Sequence, residues 1–105
     1  MVNKAKQLAK EKRKKDREWV KAVGKKYNRT CVICGSTKLP NAHHIIPKTF
    51  KETRWDVENG VILCPKHHKF GKFSAHKNAL WFIRLLQDCD GDKYNYLLSK
   101  LGKEI

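Results

Sequence analysis

The chain has 105 residues, with 24 Lys and Arg against 10 Asp and Glu, a formal net charge of +14. That length suits one small domain whose thin core needs a staple such as a metal or a disulfide, and the charge exceeds what solubility asks, pointing either to a polyanionic partner or to a merely basic, ribosome-associated chain. No apolar run reaches membrane length and the lysine-rich N-terminus has no signal core, so a cytoplasmic chain with reduced thiols is expected.

Residues 3–26, "NKAKQLAKEKRKKDREWVKAVGKK", hold eleven basic and three acidic residues with no proline. They predict a helix. Its sparse apolar stripe of Leu8, Trp19, Val20 and Val23 sits mostly at the end, so the last turns should dock and the first should project. Residues 1–26 thus read as a basic helical arm and 27–105 as the domain proper. The run Lys12, Arg13, Lys14 and Lys15 either grips phosphate or is only solvated.

"CVICGSTKL" (31–39) predicts a turn, and "NAHHIIP" (41–47) a strand rich in β-branched residues. "KTFKETRWDVENG" (48–60) reads as a polar loop and "VILC" (61–64) as a second strand. "PKHHKFGKF" (65–73) can open a helix at Pro65 and end it near Gly71. Residues 78–87, "NALWFIRLLQ", are apolar almost all round and predict a core helix, with Trp81 and Phe82 inside. "DCDGD" (88–92) is a turn. It is not a calcium loop, because its glycine falls at loop position 4 and Ser99 stands where the bidentate Glu belongs. Residues 93–101 predict a last helix.

In a reducing compartment, clustered cysteines are better read as metal ligands than as disulfides. Cys31-x-x-Cys34 has the spacing of a zinc knuckle, and Cys64-Pro-Lys-His67 repeats that spacing downstream. Together they form a closed Cys3His set typical of structural zinc. Cys89 is left over, as a small core or half-exposed residue. All five histidines fall within residues 43–76. With His67 at the zinc, His43, His44, His68 and His76 remain, too many to be satisfied core residues beside a zinc knuckle.

"HHIIP", then "ENGVILC", then "CPKHH" resembles the HNH endonuclease motif, with likeness over residues 31–82. The resemblance implies an α+β fold: a small ββα-metal core with a structural zinc, flanked by the basic helix and by C-terminal helices at 78–101, with the motif itself in 31–76. It implies that His44 is the general base and that Asn59 holds the hairpin loop and helps to orient the base. It further implies that His43 and His68 bind a catalytic metal. Lys72 occupies the place where many members carry a further His. His76 therefore either supplies a third ligand or contacts phosphate. The implied reaction is metal-dependent nicking or cleavage of double-stranded DNA, with one divalent ion at a phosphate oxygen and the departing 3′ oxygen. Imidazole ligands favour Mn²⁺, Co²⁺, Ni²⁺ or Zn²⁺ over Mg²⁺. Because neighbours on a strand face opposite ways, the first strand must bend or end near His43 for both histidines to serve one site. Arg54 and Trp55 are further candidates to touch DNA, although Trp55 suits an anchor that packs the loop equally well.

"HKFGKFSAHKNALWF" (68–82) is similar to the tail of phage members. That likeness implies a role in phage DNA packaging or recombination, a terminase subunit as partner, and the host cytoplasm as location. Two other classes fit the same residues. One is a non-catalytic zinc-ribbon module that binds nucleic acid, and the other is an accessory of a packaging motor.

Overall fold

The computed structural model describes residues 3–102. The outer ends of the two expected segments, residues 1–2 and 103–105, lie outside the described residues. In chain order the elements are α1 (Lys4–Lys26), β1 (Asn41–His44), a 3₁₀ turn (Val57–Asn59), β2 (Gly60–Leu63), a π turn (Lys66–Phe70), α2 (Ala79–Cys89) and α3 (Gly91–Gly102). Among them no helix is long and apolar enough to cross a membrane.

The centre is an antiparallel hairpin in which Asn41 pairs with Leu63, Ala42 with Ile62, His43 with Val61 and His44 with Gly60. Paired residues in such a ladder share a face, and successive residues alternate. One face therefore carries Ala42, His44, Gly60 and Ile62, and the other carries His43, Val61 and Leu63. Each face meets its own core. Trp19 and Val23 of α1 pack with Ile62 on the first. On the second, Cys31, Val61, Leu63, Cys64, Ala75 and Phe82 form a cluster. Every residue of β2 is buried as a result.

Helix α1 is capped by Asn3, whose side-chain oxygen accepts from the Ala5 amide at 2.9 Å. It docks as expected by its last turns, through Trp19, Val23 and Gly24. Leu8 and Val20, placed in the apolar stripe by sequence, face solvent. Gly60 lets the helix approach the sheet: a Cβ there would lie 2.5 Å from Val23 Cγ2 and 2.7 Å from Trp19 Cζ2. Gly60→Ala should therefore push α1 off the hairpin and lower stability by about 1–3 kcal/mol, the usual cost of overpacking. Urea denaturation measures this, and an unchanged midpoint would mean that the helix docks elsewhere.

The first strand is shorter than residues 41–47. Beyond His44 the backbone of Ile46 bonds to the Asn59 side chain instead of to a neighbouring strand, and Pro47 has no N–H to offer. The second strand begins one residue earlier than expected, at Gly60. The expected helix after Pro65 is a single π turn, closed by the Gly71 amide on the Lys66 carbonyl at 2.8 Å. A Cβ on Gly71 would sit 2.6 Å from that carbonyl, so the turn needs glycine there. Helix α2 is amphipathic rather than a core helix on all sides. Phe82 and Leu86 are buried, Trp81 is half-buried and Leu80 is 85% exposed. The expected turn at 88–92 shrinks to Asp90, which accepts from the Lys93 amide and starts α3. Lys93 is itself buried. Its ammonium donates to the carbonyls of Glu58 (2.7 Å) and Gly60 (3.3 Å), pinning α3 to the entry of β2.

Candidate metal centres

Cys31, Cys34, Cys64 and His67 bring one donor atom each to within 4.8 Å of all the others. Cys34 Sγ lies 3.7 Å from Cys64 Sγ, and His67 Nδ1 lies 3.3 Å from Cys64 Sγ and 3.7 Å from Cys31 Sγ. A tetrahedral zinc with Zn–S near 2.3 Å has edges of about 3.5–3.8 Å, so these spacings fit the ion. Burial raises the Cys31 thiol pKa, but the backbone amides of Cys34, Cys64 and Ile33 outweigh it and hold the pKa below the ordinary thiol value. Amides aimed at a sulfur favour thiolate, the form that binds metal. Cys89 is exposed and stands outside this group.

A second cluster, of His43, His68 and His76, also gathers its donor atoms within 4.8 Å. His68 Nε2 and His76 Nε2 are 3.1 Å apart, and the His43 ring stands edge-on to both at 5.1 Å. Each imidazole comes from a different element. His43 belongs to β1, where it also meets Phe82 edge-on at 5.4 Å. His68 sits in the π turn. His76 is brought over it by backbone bonds from the Ala75 amide to the His67 carbonyl (2.8 Å) and from the His76 amide to the His68 carbonyl (3.1 Å). His76 thus reaches His68 from eight residues further along the chain. Burial, reinforced by the neighbouring imidazoles, pushes His43 down to about 3. Burial and His76 push His68 to about 4. Both rings are neutral at pH 7 and present lone pairs, as metal ligation requires.

His44 is turned to the opposite face, where its ring stacks on Trp19 at 3.7 Å and 8°. Its Nε2 lies 2.8 Å from the Arg54 carbonyl. A carbonyl only accepts, so Nε2 carries the proton and Nδ1 is left with its lone pair. Burial lowers the His44 pKa below the ordinary histidine value, against the opposing pull of that carbonyl. Because β1 ends at His44, opposite facing does not separate the two histidines. His43, His44, His68 and His76 all line one open groove of about 510 Å³, with Lys48 and Lys69 at its edge.

The carbonyl that holds His44 is itself held. Asn59 is fully buried. Its Oδ1 accepts from the Ile46 amide at 2.6 Å, and its Nδ2 donates to the carbonyls of Ile46 (3.0 Å) and Thr53 (3.1 Å). Asp16 on α1 takes the next residues: Arg54 donates to its two oxygens at 2.9 and 2.7 Å, and Trp55 Nε1 donates at 2.8 Å. The Arg54 guanidinium is the main reason the Asp16 carboxyl falls to about 2. Arg54 and Trp55, candidates to touch DNA, have these polar groups turned onto α1 and anchor the loop, the alternative already open for Trp55. The role of Asp16 and the stacking of Trp19 on His44 escaped the sequence reading. Each residue lies more than twenty residues from its partner, and no local spacing marks either. Lys12, Arg13, Lys14 and Lys15 are all exposed on α1, and the Lys15 ammonium lies over the Trp55 ring at 4.8 Å.

The sequence model of the HNH endonuclease family matches residues 31–76. No curated protein and no solved structure matches the chain.

Proposed function

We propose that this chain, whose residues 31–76 belong to the HNH endonuclease family, is a metal-dependent endonuclease that hydrolyses DNA phosphodiester bonds. The observation that carries the reading is that three clustered imidazoles and a fourth with a free Nδ1 line one groove. His43, His68 and His76 would hold the catalytic ion, and their nitrogen donors suit Mn²⁺, Co²⁺, Ni²⁺ or Zn²⁺ better than Mg²⁺. Such an ion, when bound, draws charge from the scissile phosphate and from the departing 3′ oxygen. The chain's own part is the proton. His44 Nδ1 takes it from the attacking water while Nε2–H stays on the Arg54 carbonyl. Trp19 keeps the ring from tilting, and Asn59 and Asp16 keep the carbonyl in place. The products are 5′-phosphate and 3′-hydroxyl ends, as the family resemblance implies. Cys31, Cys34, Cys64 and His67 hold a structural zinc.

Lys12, Arg13, Lys14 and Lys15 supply sequence-tolerant grip on phosphate. A place in phage DNA packaging or recombination, beside a terminase subunit, rests on the likeness of residues 68–82 to the tail segment of phage members of the family.

Plasmid nicking tests this reading. The full chain should convert supercoiled plasmid in the presence of Mn²⁺ or Ni²⁺ and stop when a chelator removes the groove ion. A chain that binds plasmid but cuts with none of the divalent ions is a zinc-ribbon binding module instead. Deleting residues 1–15 removes seven cations and none of the groove residues. It should weaken binding and flatten its salt dependence while cutting persists. An unchanged salt slope would show that the helix is only solvated.

A further inference from the structure

The π turn throws a large aromatic ring into solvent beside the groove. Phe70 is 73% exposed, and Leu39, from the turn before β1, is 77% exposed. Leu39, Pro40, Pro65 and Phe70 line an open cleft of about 420 Å³ whose remaining wall includes His68 and Lys69. His68 and Lys69 also line the groove that holds His43, His44 and His76. The apolar cleft and the histidine groove are therefore neighbours across a shared wall.

Neither apolar residue is there by looseness. Phe70 precedes Gly71, whose amide closes the π turn, and its own carbonyl accepts from Lys77 Nζ at 3.2 Å. Leu39 has φ 47°, a conformation uncommon for a branched residue, and Asn41 Nδ2 donates to its carbonyl at 3.0 Å. Both side chains leave hydrogen-bonded backbone.

The charge around the cleft selects its occupant. The lining residues include Lys69 and no Asp or Glu. The cleft thus joins an apolar, partly aromatic surface to the ammonium of Lys69 and the wall it shares with the histidine groove. A nucleobase attached to its phosphate has the matching character: a flat π face beside an anion. In an intact duplex the faces are stacked and only the edges are offered. The cleft therefore needs a base that has left the stack.

We propose that Leu39 and Phe70 receive an unstacked nucleobase next to the phosphate at the histidine groove, making single-stranded or distorted DNA the preferred substrate over perfect duplex. The place of that phosphate rests on the nuclease reading above; the base contact is a binding property of its own.

The test uses the full chain carrying His44→Ala, with Mn²⁺, and oligonucleotides with 2-aminopurine in a single strand, at an unpaired bulge, or in perfect duplex. Single-stranded and bulged DNA should bind more tightly than duplex and quench the fluorophore on binding. Adding Phe70→Ala should remove the quenching and weaken binding to these two DNAs by about 5- to 150-fold, the range of one base–aromatic stack. Leu39→Ala should act in the same direction. Phe73→Ala serves as control: it also removes an exposed aromatic (54% exposed), but one that packs on Trp81 and does not line this cleft. Zinc content reports the fold in each variant. Equal affinity for duplex and single strand, or quenching that survives both Phe70→Ala and Leu39→Ala, would overturn the inference. Binding and quenching need no cleavage. A chain that never cuts can still support the base contact, and one that cuts duplex without quenching loses this inference alone.

Discussion

His44→Ala is expected to cut plasmid about 10²- to 10⁴-fold more slowly than the wild-type chain, the usual loss when a general base is removed, while binding Mn²⁺ or Ni²⁺ nearly as well. The three proposed ligands lie on the other face of β1 and in the segment 68–76, so removing the fourth imidazole leaves them together. His68→Ala should behave differently. It takes one donor from the cluster and leaves His76 Nε2 without its neighbour at 3.1 Å. Metal affinity should fall with rate, and added metal should restore part of the activity. A metal titration with plasmid cleavage as readout separates the two variants. Both should keep the structural zinc, because His67 points its Nδ1 at the sulfurs and not at the groove. A His44→Ala protein that cuts at the wild-type rate, or whose only defect is lost metal, would require another base.

Cys31→Ala should have the largest effect on the fold. Cys31 and Cys64 both belong to the proposed zinc-binding group and to the buried cluster with Val61, Leu63, Ala75 and Phe82. In small zinc domains metal-binding free energy is folding free energy, on the order of 10 kcal/mol or more for structural zinc. The variant should lose bound zinc and its cooperative thermal transition together, and strong chelation of the wild-type chain should reproduce this. Zinc content by elemental analysis and a calorimetric melt check it. A variant that keeps one tightly held zinc and a sharp melt would place the ion elsewhere.

The Cys3His cluster was legible because each pair is local: a tight turn links Cys31 to Cys34, and another links Cys64 to His67, so spacing alone reports geometry. The groove was legible only in part. His43, His44 and His68 stand in a recognisable order, but the position of His76 depends on the π turn and on backbone bonds that lay residues 75–76 against 67–68. Nothing in the periodicity of "PKHHKFGKF" distinguishes a π turn from an α-helix. Arg54 looked free to meet DNA because its partner, Asp16, sits inside a charge run that gives no sign of selecting one of its acids. Trp19 read as part of an ordinary apolar stripe, since stacking on a histidine leaves no trace in sequence spacing. Helix α2 read as core because its apolar residues surround it. A chain of this size has too few elements to cover every side, and Leu80 remains outside.

His43 and His44 are consecutive in the chain, yet they are secured by different cores. His43 leans on Phe82 and the zinc side of the hairpin, and His44 on Trp19 and α1. Alignment of the groove is therefore a conjunction, like a lock with two keys. Under the proposed function, detaching α1 would leave the three clustered imidazoles assembled beside a base free to swing. Losing zinc would leave His44 stacked on its tryptophan beside imidazoles that have come apart. Either event alone would disarm the proposed nuclease, and neither needs to touch a histidine.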